Sequence, residues 1–85
     1  LTMYAVYLKR SAETELEELP PKVHDKIVEV FLSLRKNPFP RNAKKLHGRE
    51  GYRTRVGSYG VLYLVNDKRN RTEIVAVGDR KDVYR

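Results

Sequence analysis

Apolar and polar positions along this chain shift their period at identifiable residues, and each shift marks an element. Met3-Tyr4-Ala5-Val6-Tyr7-Leu8-Lys9 is rich in β-formers and loosely alternating, which predicts a strand. Ser11 stands where an N-cap belongs, and Glu13 and Glu15 follow in the turns where carboxylates suit the positive helix end. Ala12, Leu16 and Leu19 then recur at i, i+4 and i+7, the spacing of a short amphipathic helix. Pro20-Pro21 stops it, and Pro21 can open a second helix, whose first turn has no use for the missing N–H. Val23, Ile27, Val30, Phe31 and Leu34 share one face of that helix, while Lys22, Lys26 and Glu29 point elsewhere. Asn37-Pro38-Phe39-Pro40 ends it. Two helices with so tight a joint predict an antiparallel helix hairpin lying on a sheet.

A basic connector, residues 41–51, leads into strands predicted at 52–56, 59–66 and 71–77. Gly57-Ser58 makes the first turn between them and Asn66-Asp67-Lys68-Arg69-Asn70 the second. Short hairpin loops make the three strands an antiparallel meander. Val61-Leu62-Tyr63-Leu64-Val65 is apolar on both faces, so the middle strand should lie centrally. The expected fold class is α+β in two layers: an N-terminal strand, the helix hairpin, then the three-stranded antiparallel meander.

Length and composition narrow the reading. Residues 1–85 are expected to form one domain, and a chain this short buries roughly 60% of the surface it exposes when unfolded. There is no cysteine, which removes disulfides and thiolate metal sites. No apolar run approaches the ~20 residues of a membrane span, and no signal-peptide pattern opens the chain; the expectation is a soluble protein of the cytoplasm. The net charge is +7, and it is segregated. Residues 1–34 hold four Lys/Arg against six acids, a balance of −2, whereas residues 35–85 hold fourteen against five, a balance of +9. Mixed surface charge would serve solubility equally well, so the basic half points to a polyanion or an acidic partner.

Candidate chemistry sits in that half. Arg53 and Arg55 are two apart on a strand and project from one face, with Tyr52, Thr54 and Val56 on the other. Alone, such a pair fits an ordinary solvated strand face equally well. Arg80 and Lys81 follow a strand of the same sheet and are expected to converge on that face. Tyr84 either packs down the end of the chain or sets its phenol beside the arginines, where fixed positive charge favours phenolate. Cleavage of RNA through its 2′-hydroxyl needs charge stabilisation at phosphorus and a proton for the departing 5′-oxygen. Arginines supply the first but, with pKa above ~12, rarely move protons. His24 reads as a scaffold or surface residue, and His47 lies in the connector near Lys44 and Lys45. No P-loop, dinucleotide motif or clustered ligand set for a metal is present.

In ordered combination these pieces resemble the RelE/ParE superfamily of toxins from type II toxin–antitoxin operons, most of all its RelE-like branch. The likeness includes Ser11-Ala12-Glu13 into Leu19-Pro20, Asn37-Pro38, Lys45-Leu46-His47-Gly48, Tyr52-Arg53-Thr54-Arg55-Val56-Gly57 with Tyr59, and Gly78-Asp79-Arg80-Lys81-Asp82-Val83-Tyr84. The resemblance implies a microbial-ribonuclease-like fold and a toxin that enters the ribosome and cuts mRNA by 2′-hydroxyl attack, without metal or other cofactor. It implies that Arg53 and Arg55 bind the phosphate, that Arg80 stabilises the transition state, and that Tyr84 stacks or transfers a proton. Lys44, Lys45 and Lys81 would bind RNA, and a cognate antitoxin would cover this face. Two departures stand out: Gly60 occupies a position where the family often has arginine, and Asp79 one where close relatives carry histidine. Both imply weakened cleavage. The alternatives are a ParE-like inhibitor of DNA gyrase, or a catalytically inactive RNA-binding partner of an antitoxin.

Overall fold

The computed structural model describes residues 3–83, and its centre is the strand that is apolar on both faces. The elements in chain order are β1 (Ala5–Leu8), α1 (Arg10–Glu17), α2 (Pro21–Lys36), β2 (Lys44–Lys45), β3 (Tyr52–Val56), β4 (Tyr59–Asn66), β5 (Arg71–Asp79) and α3 (Arg80–Val83). They build a five-stranded sheet in the order β1-β5-β4-β3-β2. The α+β layout expected from the sequence is the one observed, with the meander β3-β4-β5 antiparallel throughout.

The sheet also differs from that expectation at its margins. β1 pairs in parallel with β5, from Ala5 opposite Arg71 to Leu8 opposite Ile74. The connector contains a two-residue strand of its own, with Lys44 opposite Arg53 and Lys45 opposite Tyr52. Ser11 is not the N-cap of α1. Lys9 holds that place with no side-chain cap, and its carbonyl accepts the Glu13 N–H at 3.0 Å. The Lys9 N–H is still bonded to the Ile74 carbonyl of β5, so β1 runs directly into the helix and leaves no loop in which a cap could sit. α2 begins as read, with Pro20 at the N-cap and Pro21 in the first turn.

One layer of helices covers one face of the sheet. Ala12 from α1 and Ile27, Phe31 and Leu34 from α2 are buried against Val61 and Tyr63 of β4 and Ile74 and Val77 of β5. Burying the larger aliphatic and aromatic side chains of this set contributes roughly 1.5–3 kcal/mol each relative to exposure. Alternation along β5 would put Ile74 and Val77 on opposite faces. A bulge prevents this: Leu62 faces Ala76 but Tyr63 faces Ile74, leaving Val75 as an extra residue. The chain leaving α2 is fastened to the same core. The Tyr63 hydroxyl donates to the buried Pro38 carbonyl at 2.9 Å, Tyr63 stacks on Tyr52 at 5.9 Å, and Phe39 meets Tyr52 edge-on at 5.2 Å.

Candidate functional site

Strand alternation and register fix what stands on the sheet face away from the helices. Thr54 is buried, and Tyr52, Val56 and Tyr59 pack against the core, so Arg53 and Arg55 turn to the other side. Across the strands the rows are Lys44–Arg53–Leu62–Ala76 and Arg55–Gly60–Gly78. The second row carries one long cationic side chain and two positions with no side chain at all.

The bare floor has an occupant at Gly78. A Cβ placed there would stand 3.2 Å from the Val83 Cγ2, and Val83 is itself buried. The glycine therefore lets the last turn, α3, lie close against the sheet. Two bonds hold that turn. The Arg80 N–H donates to the Ser58 carbonyl in the β3–β4 turn at 3.1 Å, and the Lys81 N–H donates to the Asp79 Oδ1 at 3.0 Å. Asp79 thus acts as an N-cap, which is the ordinary task of an aspartate at the start of a helical turn.

Two adjoining clefts result, and Arg55 borders both. One, of about 410 Å³, is lined by Arg55, Ser58, Asp79, Arg80 and Lys81. The other, of about 140 Å³, is lined by Asn42, Lys44, Arg53 and Arg55. Arg53, Arg55, Arg80, Lys44 and Lys81, all singled out in the sequence, are thereby brought to one side of the molecule. Lys45 is not: it pairs with Tyr52 and alternation turns it to the opposite face from Lys44. Tyr84 lies outside the described residues. His47 is exposed and borders neither cleft, and His24 lies on α2 beside Asp25, Nδ1 to Oδ1 3.5 Å. Among the described residues no group of three or more His, Cys, Asp or Glu is placed to hold a metal ion. No helix among them is long and apolar enough to cross a membrane.

Ser58, Asn42 and the capping role of Asp79 were not anticipated. Asp79 had a signal, since an aspartate that directly follows an apolar strand and precedes Arg-Lys is a candidate cap. Ser58 and Asn42 had none, because their place depends on how two turns meet.

Chemically, the clefts offer guanidinium forks and ammonium groups with one carboxylate. That set receives phosphate oxygens, and Arg55 is positioned to touch a group bound in either cleft.

Comparison with known proteins gives a consistent outcome. Residues 6–84 match the family model described as the ParE toxin of the type II toxin–antitoxin system, parDE. Toxin RelE of Mycobacterium tuberculosis (strain ATCC 25618 / H37Rv) is 33% identical over 84 residues, covering 96% of this chain and 87% of that protein. In the toxin–antitoxin complex RelBE2 from Mycobacterium tuberculosis, one chain superposes with a TM-score of 0.80 at 30% identity, covering 92% of this chain and 99% of that one. In the archaeal RelE–RelB complex from Pyrococcus horikoshii OT3 the TM-score is again 0.80, at 27% identity over 98% of this chain and 100% of that one.

Proposed function

This chain belongs to the RelE/ParE family of type II toxin–antitoxin toxins, and from that premise we propose that it is a ribosome-dependent mRNA endoribonuclease. The observation that carries the reading is the pair of cationic clefts sharing Arg55 on the face the helices leave uncovered. In the proposed reaction the 2′-hydroxyl gives up its proton and attacks the adjacent phosphorus, and the 5′-oxygen leaves with a proton. Arg53 and Arg55 bind the scissile phosphate, with Lys44 holding the strand beside them. Arg80, tied to the Ser58 carbonyl, stabilises the charge that builds on the phosphoryl oxygens. Tyr84 is assigned stacking or proton transfer on its sequence position alone. Lys81 steers the backbone, and Lys45, on the other face, is left a peripheral contact.

Electrostatic stabilisation without a neutral-pKa general base would leave free RNA cut slowly, so the ribosome is expected to position the message. The partner proposed for the resting state is an acidic antitoxin, by analogy with the solved relatives, which are complexes of RelE with its antitoxin. Residues 1–85 are proposed to act as one domain, in the cytoplasm. The test is incubation of purified protein with translating ribosomes and with free mRNA. Cleavage confined to the ribosome-bound message supports the reading, and cleavage undiminished in Arg80→Ala removes the site assignment.

A second reading, inhibition of DNA gyrase, draws on the ParE description of the matching family and on Gly60, which adds no cation to the site. Loss of gyrase supercoiling with mRNA left intact would select it.

A further inference from the structure

The sheet face away from the helices is not polar throughout. Leu62 is the cross-strand partner of Arg53 and shares its face, yet it is only 5% exposed and lies outside the core beneath the helices. Leu46, Leu64 and Val75, all half-buried, join it in lining a pocket of about 180 Å³. The exposed side chains that border this pocket are Arg49 and Glu50.

The loop that carries those two charges is fastened at its ends. The Leu46 N–H donates to the Gly51 carbonyl at 2.9 Å, which closes residues 46–51 on themselves. Gly51 in turn lies close against the Tyr63 carbonyl and the Leu64 side chain of β4. Arg49 and Glu50 are therefore held at the pocket by backbone bonding and packing.

Position selects the kind of occupant. The pocket begins in the row of the sheet that also holds Lys44 and Arg53, and those two residues line the smaller cationic cleft. A ribose phosphate seated in that cleft carries its base alongside Leu62. Drug-sized ligands need roughly 300 Å³ or more, so this smaller space suits a single heterocycle. Apolar walls take the faces of an unpaired base, and the charged rim meets its edge.

The pattern of donors and acceptors narrows the choice. An ionised carboxylate only accepts, and guanine alone among the four bases offers it two adjacent donors, N1–H and the N2 amino group. The O6 and N7 of guanine are also the acceptors that a guanidinium grips. Adenine and cytosine set a ring acceptor beside their amino group, and uracil flanks its one N–H with carbonyls. Each of these would turn an acceptor toward Glu50. We propose that this pocket reads a guanine of the message next to the scissile phosphate, with Glu50 accepting from N1–H and N2 and Arg49 donating to O6. The proposal rests on the endoribonuclease reading above.

The test uses the full chain and ribosomes programmed with messages that carry guanosine, adenosine, cytidine, uridine or inosine at each codon position in turn. Inosine lacks the N2 amino group and keeps N1–H and O6. At one position guanosine should be cut about 10-fold faster than the other three standard bases, with inosine between them. Glu50→Gln should make guanosine and inosine equal, and Arg49→Ala should lower the preference for both. Both residues are exposed, so the variants should keep the native thermal midpoint and cut the other messages as before. Cleavage indifferent to the base, or a guanosine preference untouched by Glu50→Gln, overturns this proposal alone. Absence of cleavage on every message overturns the endoribonuclease reading and the proposal with it. Base-indifferent cleavage combined with a co-purified antitoxin complex that Leu46→Ser weakens would give the pocket to an apolar side chain of that partner, and the proposal would fall.

Discussion

The Asp79 carboxylate accepts the Lys81 backbone N–H at 3.0 Å, so the one acid in the larger cationic cleft is the group that shapes the turn carrying its cations. A negative charge beside the proposed phosphate site is a cost, offset by the order it brings to Arg80 and Lys81. Asp79→Ala is expected to lose the cap and destabilise the protein by about 1 kcal/mol. Cleavage should fall with it. Asp79→Asn keeps an acceptor and drops the charge, so it should retain the thermal midpoint and bind RNA more tightly. Thermal unfolding and RNA-binding titrations on the two variants check this.

Arg80→Ala and Arg55→Ala should each lower the cleavage rate on ribosomes by roughly 10²–10³, the usual effect of deleting one transition-state charge contact. Single-turnover kinetics with saturating ribosomes measure it. Arg55 borders both clefts, so its loss should also raise the concentration needed for half-saturation. Arg80 should act mainly on the chemical step.

An arginine at position 60 has an obvious appeal, since it would add a cation in the row between Arg55 and Gly78. Gly60 is buried, however, and the last turn is seated on the same floor through Val83 and Gly78. Gly60→Arg is therefore expected to increase amide exchange in residues 80–83 and to lower the thermal midpoint. Exchange mass spectrometry on the variant reads the first effect directly. Unchanged exchange would mean that the new side chain is accommodated without moving the turn.

Gly51 holds the connector against β4. Its φ is +123°, and a Cβ there would stand 3.1 Å from the Tyr63 carbonyl oxygen and 3.2 Å from Leu46 and Leu64 side-chain carbons. Gly51→Ala combines backbone strain with a contact against main chain that cannot give way. A loss of about 2 kcal/mol or more is expected in urea unfolding.

Burial, helped by the neighbouring Tyr52, pushes the Tyr63 hydroxyl up to about 12 from its ordinary value of 10.0. The neutral phenol is thus favoured more in the folded chain than in the unfolded one. Its contribution is complete below pH ~10 and is lost as pH rises toward ~12, because the unfolded chain then releases the proton first. Stability should decline over that alkaline window, and tyrosinate absorbance should rise together with unfolding. Tyr63→Phe removes the bond to the Pro38 carbonyl and should cost about 1–3 kcal/mol at neutral pH. It should also flatten this part of the alkaline decline.

Local patterns were read well where one residue type dictates one geometry. Pro21 opens α2, the apolar faces of Ile27, Phe31 and Leu34 lie in the core, and β3 and β4 begin and end where Gly57-Ser58 and the polar turn require. The alternation of Arg53 and Arg55 against Thr54 survived intact for the same reason. What failed to show in the sequence depends on partners distant along the chain. Nothing local to Lys44-Lys45 reveals that they pair with Arg53 and Tyr52, or that this pairing separates the two lysines onto opposite faces. The parallel placement of β1 on β5 is equally silent, since no short-range signal distinguishes it from an antiparallel edge. Ser11 looked like a cap because its chemistry suits one, and lost that place to a strand that continues into the helix.

The surplus residue in β5 has a consequence for how this chain can change over time. Everything after Val75 is set one step out of phase with everything before it, so Val77 lies inward and Gly78 outward. Removal of a single codon at 75 would spare every guanidinium and every core side chain by name. It would also keep Val77 inward and Gly78 outward, because Ile74 followed directly by Ala76 restores plain alternation on the same partners; what would go is the local bend and added twist that the bulge gives β5. Between Thr72 and Arg80 the chain can therefore shorten by one residue, at the bulge, and still present the same side chains on each surface of the sheet.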